Sequence, residues 1–363
     1  MDKSLFVLRE LRAAQVVRFN NSGYDGTVIF GEIKEDGANF PNFGECTSEY
    51  RTMGVVGVFL FVLKGGYHVV EINEPFFLRS LGYQLSVLLA VFFLNILSSR
   101  RTRVVCYAIE NMDVVQRFRK SLPIFGWIIQ MGLRFLLGFC IGRLDRIVFG
   151  TSSAELNYKK YFRNRVDSIE SRLIQPFEPV CRHCDGADKK IGAKFVFLGA
   201  FDERKGVEHV FKVWSVLREK IPGVSLSLIG QGPRKNEVIN WANKFAEVEV
   251  YVAPPVEKIH RILAEARFLF LLSNETPQWK EQIGLPVLEG LSHGCWVISS
   301  ISTGIATWLE ENGSLTVDVS LGDFAGTIIE FVEKKIDMTF DAKCKLPRMG
   351  GREIAHRWLH EIV

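Results

Sequence analysis

From residue 194 onward, short uninterrupted apolar runs alternate with longer stretches in which apolar side chains recur every three or four positions. The short runs predict strands at "KFVFLG" (194–199), "SLSLIG" (225–230), "VEVYVA" (248–253), "RFLFLLS" (267–273), "CWVISS" (295–300) and "SLTVDV" (314–319). The periodic stretches predict helices at 207–220, 233–246, 257–266, 284–294, 324–335 and 351–363. Strands that do not alternate, each followed by a helix, belong to a parallel sheet covered on both faces. This is the pattern of a doubly wound α/β domain, whose ligand lies at the carboxyl ends of its strands.

The first half follows the same grammar. Strands are expected at 4–9, 26–32, 68–73, 103–109 and 146–151, with helices at 78–97 and 124–142. A stretch rich in Pro, Cys, Asp and Gly, "QPFEPVCRHCDGADKK" (175–190), divides the chain. At 363 residues the chain exceeds one ordinary core. The expected organisation is a Rossmann-like domain over 1–175, a linker over 176–190, and a second Rossmann-like domain over 191–350. The closing helix, 351–363, is expected to cross back to the first domain.

Three apolar runs bear on membranes. "GVVGVFLFVL" (54–63) and "LSVLLAVFFLNIL" (85–97) are too short to span a bilayer and are expected as buried elements. The run at 124–142 is long enough, but Gln130 and Arg134 interrupt it. It reads equally as a core helix or as a helix lying on a membrane, where Arg117, Arg119, Lys120 and Arg143 would meet anionic headgroups.

Composition narrows the class. A net charge of +4 gives no ground to expect nucleic acid as a partner. Seven cysteines, an odd count without regular spacing, fit a reducing cytoplasm, and the charged N-terminus gives no export signal. Cys181 and Cys184 form a lone pair where a structural zinc needs four ligands, so no metal is expected. His68, His260 and His293 are expected to be structural.

Candidate chemistry sits in three loops that follow strands. "GAFDERKG" (199–206) leaves a strand at Gly199 and presents Arg204 and Lys205 at a helix start. Cations there oppose the helix dipole, which makes sense if a phosphate sits between. "GQGPRKNE" (230–237) offers Gly230 and Gly232 for close backbone approach to a ligand. "EQIGLPVLEG" (281–290) places Glu281 before a helix and Glu289 one turn inside it. The amides of Gly284 and Leu285 form the positive helix end between them.

"EQIGLPVLEGLSHGCWVISS" resembles the E-x-x-G-x-P-x-x-E segment of family 4 glycosyltransferases of the GT-B fold. "FLGAFDERKG", "LIGQGPRK" and "ENGSLTVD" are similar to further segments of that family, over roughly residues 170–363. In the first half, "YHVVEINEP" and "YAIENMDVVQRF" are similar more faintly. The resemblance implies two Rossmann-like doubly wound domains facing across a cleft. It implies Lys205 and Arg204 on the donor diphosphate, Glu289 on the ribose hydroxyls and Glu281 beside the donor sugar. It further implies transfer with retention and no bound metal or other cofactor. Two positions depart from the family. Ala200 stands where an arginine is usual, and "STGIATW" (302–308) lacks the usual acidic residue.

Glu74, Glu110 and Asn111 are candidates for acceptor or sugar contacts. The expected activity is transfer of a sugar from a UDP- or GDP-sugar to a lipid-linked or oligosaccharide acceptor, in bacterial surface polysaccharide assembly. The expected location is cytoplasmic, peripheral at the inner membrane face, with an anionic membrane surface as partner. Alternatives are a nucleotide-sugar epimerase of the same fold, or a module that binds a nucleotide sugar without turnover.

Overall fold

The computed structural model describes residues 3–12, 15–16, 19, 26–34, 49–98, 101–121, 126–182, 190, 192–277 and 279–361, with side chains 118–121 excepted. The chain divides into two compact units. The first comprises Met1–Gln175 with Arg352–Val363, and the second Pro176–Gly351.

In the first unit, the described strands are β1 (Lys3–Arg12), β2 (Gly26–Lys34), β3 (Glu49–Thr52), β4 (Tyr67–Ile72), β5 (Arg103–Ala108), β6 (Arg146–Phe149) and β7 (Glu170–Leu173). They form one parallel sheet in the order β3-β2-β1-β4-β5-β6-β7. Although both faces are apolar, side chains still alternate between them. Leu5, Val7, Val70, Ile72, Val104 and Cys106 join helices 55–63, 81–97 and 126–141 in one core. Val69, Val105, Tyr107 and Val148 point the other way and pack against Ala355, Trp358 and Leu359 of helix Gly351–His360. That helix is also anchored by polar contacts. Arg146 donates to the Trp358 carbonyl at 2.6 Å, and His360 Nε2 lies 2.8 Å from Glu71.

The second unit holds β8 (Lys194–Leu198), β9 (Ser225–Gly230), β10 (Val248–Val252), β11 (Phe268–Leu271), β12 (Trp296–Ser300) and β13 (Leu315–Val317). They form a parallel sheet in the order β10-β9-β8-β11-β12-β13. Phe195 stacks on Phe268 and Phe270, with ring centroids 4.8 and 5.3 Å apart, and packs edge-on against buried Trp214. Both sheets reverse their winding once, between β1 and β4 and between β8 and β11. Such a reversal opens a crevice at the carboxyl ends of the two central strands.

The apolar runs at 54–63 and 85–97 depart from expectation. Both are helical, Val55–Leu63 and Leu81–Leu97, and each buries only one face. Val56, Leu60, Phe93, Ile96 and Leu97 are exposed. Together with the preceding turn, Leu78–Leu97 is among the described residues the one helix long and apolar enough to cross a membrane, and its inner face is packed on the sheet. The helix expected over 78–97 is thus present, and Tyr83 and Gln84 lie on its buried side.

Candidate functional site

The loop after β8 is shaped by one capping residue and one left-handed glycine. Asp202 accepts a hydrogen bond from the Lys205 amide at 3.0 Å, closing the short turn Glu203–Lys205. Gly206 then adopts φ +70°, where a Cβ would fall 1.7 Å from the Leu272 carbonyl oxygen. Only glycine permits that approach, and it presses the end of β11 against the loop that carries Arg204 and Lys205. Asn274 completes the join, donating its amide to the Arg204 carbonyl and its side-chain amide to the Glu203 carbonyl.

The second cation of this loop meets the first glutamate of the predicted pair. Lys205 Nζ lies 2.6 Å from Glu281 Oε2, with the two side chains 17% and 9% exposed. Ser273 donates to the same carboxylate oxygen at 3.1 Å. Arg204 is held by Asp202 at 2.6 Å and is more open to solvent. The Trp279 ring spans both cations, its centroid 5.0 Å from the Arg204 guanidinium carbon and 5.2 Å from Lys205 Nζ. Cation–π attraction of this kind contributes about 0.5–2 kcal/mol and keeps two like charges adjacent without another carboxylate.

The remaining predicted residues lie around this pair. A Cβ built on Gly199 would stand 3.9 Å from Lys205 Cγ, and one on Gly284 would stand 3.7 Å from Glu281 Cγ. Gly230 abuts the Gly199 carbonyl, where a Cβ would come within 1.8 Å. Gly232 nests against the Phe201 backbone. Gly284 takes φ +78° and starts helix Leu285–Ser292, with Pro286 in its first turn. The amides at that end carry the positive pole of the helix.

Glu289 lies one turn into this helix. Its surface is accessible, yet surrounding protein raises its carboxyl above the ordinary carboxylate range through burial. Among the described residues its carboxylate has no hydrogen-bond or ion-pair partner. The positions that depart from the family are here too. Ala200 opens the Lys205 loop, and the Gly304 amide donates to the Glu281 carbonyl, bringing the "STG" turn alongside without a carboxylate.

Glu74, Glu110 and Asn111 are all buried in the first unit, at the carboxyl ends of β4 and β5. Glu74 accepts hydrogen bonds from the Ile109 and Glu110 amides and from the Tyr158 hydroxyl, each at about 3 Å. Burial, then repulsion from Glu110, pushes its carboxyl up from 4.5 to about 8. At neutral pH Glu74 is therefore largely protonated and braces two loops against helix Ser152–Val166. Glu110 in turn accepts from the Met112 amide, and Asn157 donates to the Glu110 and Met112 carbonyls.

Ser273, Asn274 and Trp279 were not singled out by sequence reasoning. They follow β11 in "SNETPQW", which carries no periodic or glycine signal. The only available pointer was their place after a central strand.

Residues 187–344 match the family described as Glycosyl transferases group 1. No curated protein matches the chain. Solved structures similar to the whole chain include the lipopolysaccharide outer core galactosyltransferase WaaB, at 12% identity and a TM-score of 0.67, covering 99% of this chain and 100% of that one. The Anabaena protein Alr3699/HepE in complex with UDP is 12% identical with a TM-score of 0.64, covering 98% and 95%. Sucrose-phosphate synthase from Thermosynechococcus elongatus is 15% identical with a TM-score of 0.57, covering 98% and 94%. The chain thus has the GT-B fold of these structures, and residues 187–344 of its second unit are similar to the group 1 glycosyltransferases.

Proposed function

We propose that the protein transfers a sugar, with retention, from a nucleotide diphosphate sugar to a lipid-linked or glycan acceptor in surface polysaccharide assembly. The observation that carries this reading is the Lys205–Glu281 pair, standing at the reversal of the second sheet beside the amino end of helix Leu285–Ser292. Lys205, Arg204 and the helix amides are placed to neutralise a diphosphate leaving group, the work that a metal ion performs in other transferases. Glu289 offers an enclosed carboxylate for ribose hydroxyls, and Glu281 one for the sugar. In the resting protein Glu281 holds Lys205 where the phosphate would arrive. Donor binding then exchanges one anionic partner of Lys205 for another. UDP in the Anabaena relative supports a uridine donor.

The first unit supports a membrane-borne acceptor. Helices 55–63, 81–97 and 126–141 pack side by side and expose Val56, Leu60, Ile96, Leu97, Trp127 and Phe135. Arg143 lies over the rings of Phe92 and Phe139, placing a cation at the edge of this apolar face. Such a face suits the interface of an anionic bilayer. The basic side chains at 118–120 lie outside those described.

A thermal-shift panel of UDP, GDP, ADP and dTDP with their sugars, followed by transfer of labelled sugar to a lipid extract, tests the reading. One base should stabilise the protein well above the others, and its sugar should appear on lipid with the anomeric configuration kept. Stabilisation by none of them removes the donor assignment. Conversion of the donor without any acceptor would favour the epimerase.

A further inference from the structure

Three side chains from distant parts of the second unit meet at the carboxyl end of helix Leu285–Ser292. Cys181 belongs to the segment that enters the unit, His260 to helix Val256–Glu265, and His293 caps helix Leu285–Ser292. Cys181 Sγ lies 3.6 Å from His260 Nδ1, which lies 3.0 Å from His293 Nε2. All three atoms fall within 4.8 Å of one another. We propose that Cys181, His260 and His293 bind a structural zinc ion or a similar thiolate- and imidazole-seeking divalent metal.

The distances suit that ion. Zn–N bonds of about 2.0–2.1 Å and Zn–S bonds of about 2.3 Å in a tetrahedron place ligand nitrogens about 3.3 Å apart and nitrogen and sulfur about 3.6 Å apart. The observed separations of 3.0 and 3.6 Å need only a slight expansion to admit the metal. The cluster, among the described residues, offers one sulfur and two ring nitrogens, a donor set that suits zinc better than magnesium or calcium.

Orientation supports the same conclusion. His293 Nδ1 lies 2.6 Å from the Glu289 carbonyl oxygen, which can only accept. The proton is therefore on Nδ1, and Nε2 turns a lone pair toward His260 and Cys181. Fixing the far ring nitrogen on a backbone carbonyl is how metal-binding imidazoles are commonly held. Lys190 spends its charge on the carbonyls of Leu263, Ala266 and His293 and on the Cys295 sulfur. Three protein ligands leave one position for water or a further donor. Cys184, the other thiol of the C-x-x-C stretch, lies outside the described residues.

The metal would join the entering segment to two helices, one of which carries Glu289. Its role is positional, and the site stands whether or not the chain is a glycosyltransferase. In sequence only the Cys181–Cys184 pair stands out, and it is the fold that brings the two histidines to Cys181.

The full-length protein, stripped with a chelator and kept reduced, is titrated with Co(II) and then Zn(II). The expected result is one Co(II) per chain, a thiolate-to-cobalt charge-transfer band, its displacement by Zn(II), and a higher melting temperature with zinc. Cys181→Ser should lose the band, and His293→Ala should weaken zinc binding at least ~10-fold. Cys344→Ser, at an exposed thiol elsewhere, should keep both. A wild-type protein without the band overturns the proposal, as does an undiminished band in Cys181→Ser. In either case the contact is a hydrogen bond from His260 to His293 with a thiol beside it. Because the wild-type titration alone can reject the site, a poorly folded variant cannot conceal the answer.

Discussion

The two sheets wind in the same order, yet they furnish their points of reversal in opposite ways. Beyond β8 and β11 stand two cations and two carboxylates, with Lys205 and Glu281 paired and Arg204 open to solvent. Beyond β4 and β5, the carboxylate of Glu74 is sealed in, saturated by two amides and a tyrosine hydroxyl, and kept protonated near neutral pH. Topology supplies a crevice in each case. Both acids are buried, so the partners make the difference: Glu281 faces a lysine that a charged ligand could claim, whereas Glu74 is tied to two amides and a hydroxyl and serves as a beam between loops. A glutamate after a central strand is thus no sign of catalysis until its partners are known.

The comparison breaks most sharply at Glu281. Glu281→Gln should lower turnover by ~10²–10³-fold while nucleotide diphosphate affinity changes little, because loss of one preorganised electrostatic group typically costs that much. Initial rates and calorimetry on the same preparation separate the two. If affinity falls and turnover survives, the two glutamates of this site have exchanged roles. Lys205→Ala comes next. It should weaken UDP or GDP binding by about 1.5–3 kcal/mol, the range for hydrogen bonds to charged groups, and equal affinity would remove the phosphate assignment.

The smallest effect belongs to the first unit. Glu74 has its folded pKa raised from 4.5 to about 8, so the folded state holds a proton that the unfolded chain releases. Its contribution is full below pH 4.5 and is lost as pH rises through about 8. Urea unfolding should therefore show stability declining across that window, with a flatter profile in Glu74→Gln. A Glu74→Gln protein with unchanged pH dependence would mean that the Glu74 carboxyl is not the group that holds this proton.

Most of the second unit's elements were legible, within about two residues at most ends, because buried parallel strands are read as unbroken apolar runs. The edge strands of the first unit were not. "EYRT" of β3 and "ESRL" of β7 are short, polar and largely exposed, and only the ladders to β2 and β6 make them strands. At the site, glycines and caps announced the loops. The contact between Lys205 and Glu281 joins positions 76 residues apart, and periodicity says nothing about such a pair. The same holds for Glu74 with Tyr158, 84 apart, and for Cys181 with His260, 79 apart. Fold-made constellations of this kind become readable only once strand order is known.

The return of Arg352–Val363 to the first unit makes the second unit an insertion within the first. During synthesis, the sheet face formed by Val69, Val105, Tyr107 and Val148 stays without its cover until more than 350 residues have been made. The second unit can mature on the ribosome while the first waits for Trp358 and Leu359. A chain cut short at residue 350 would thus fail first in the unit that was translated first.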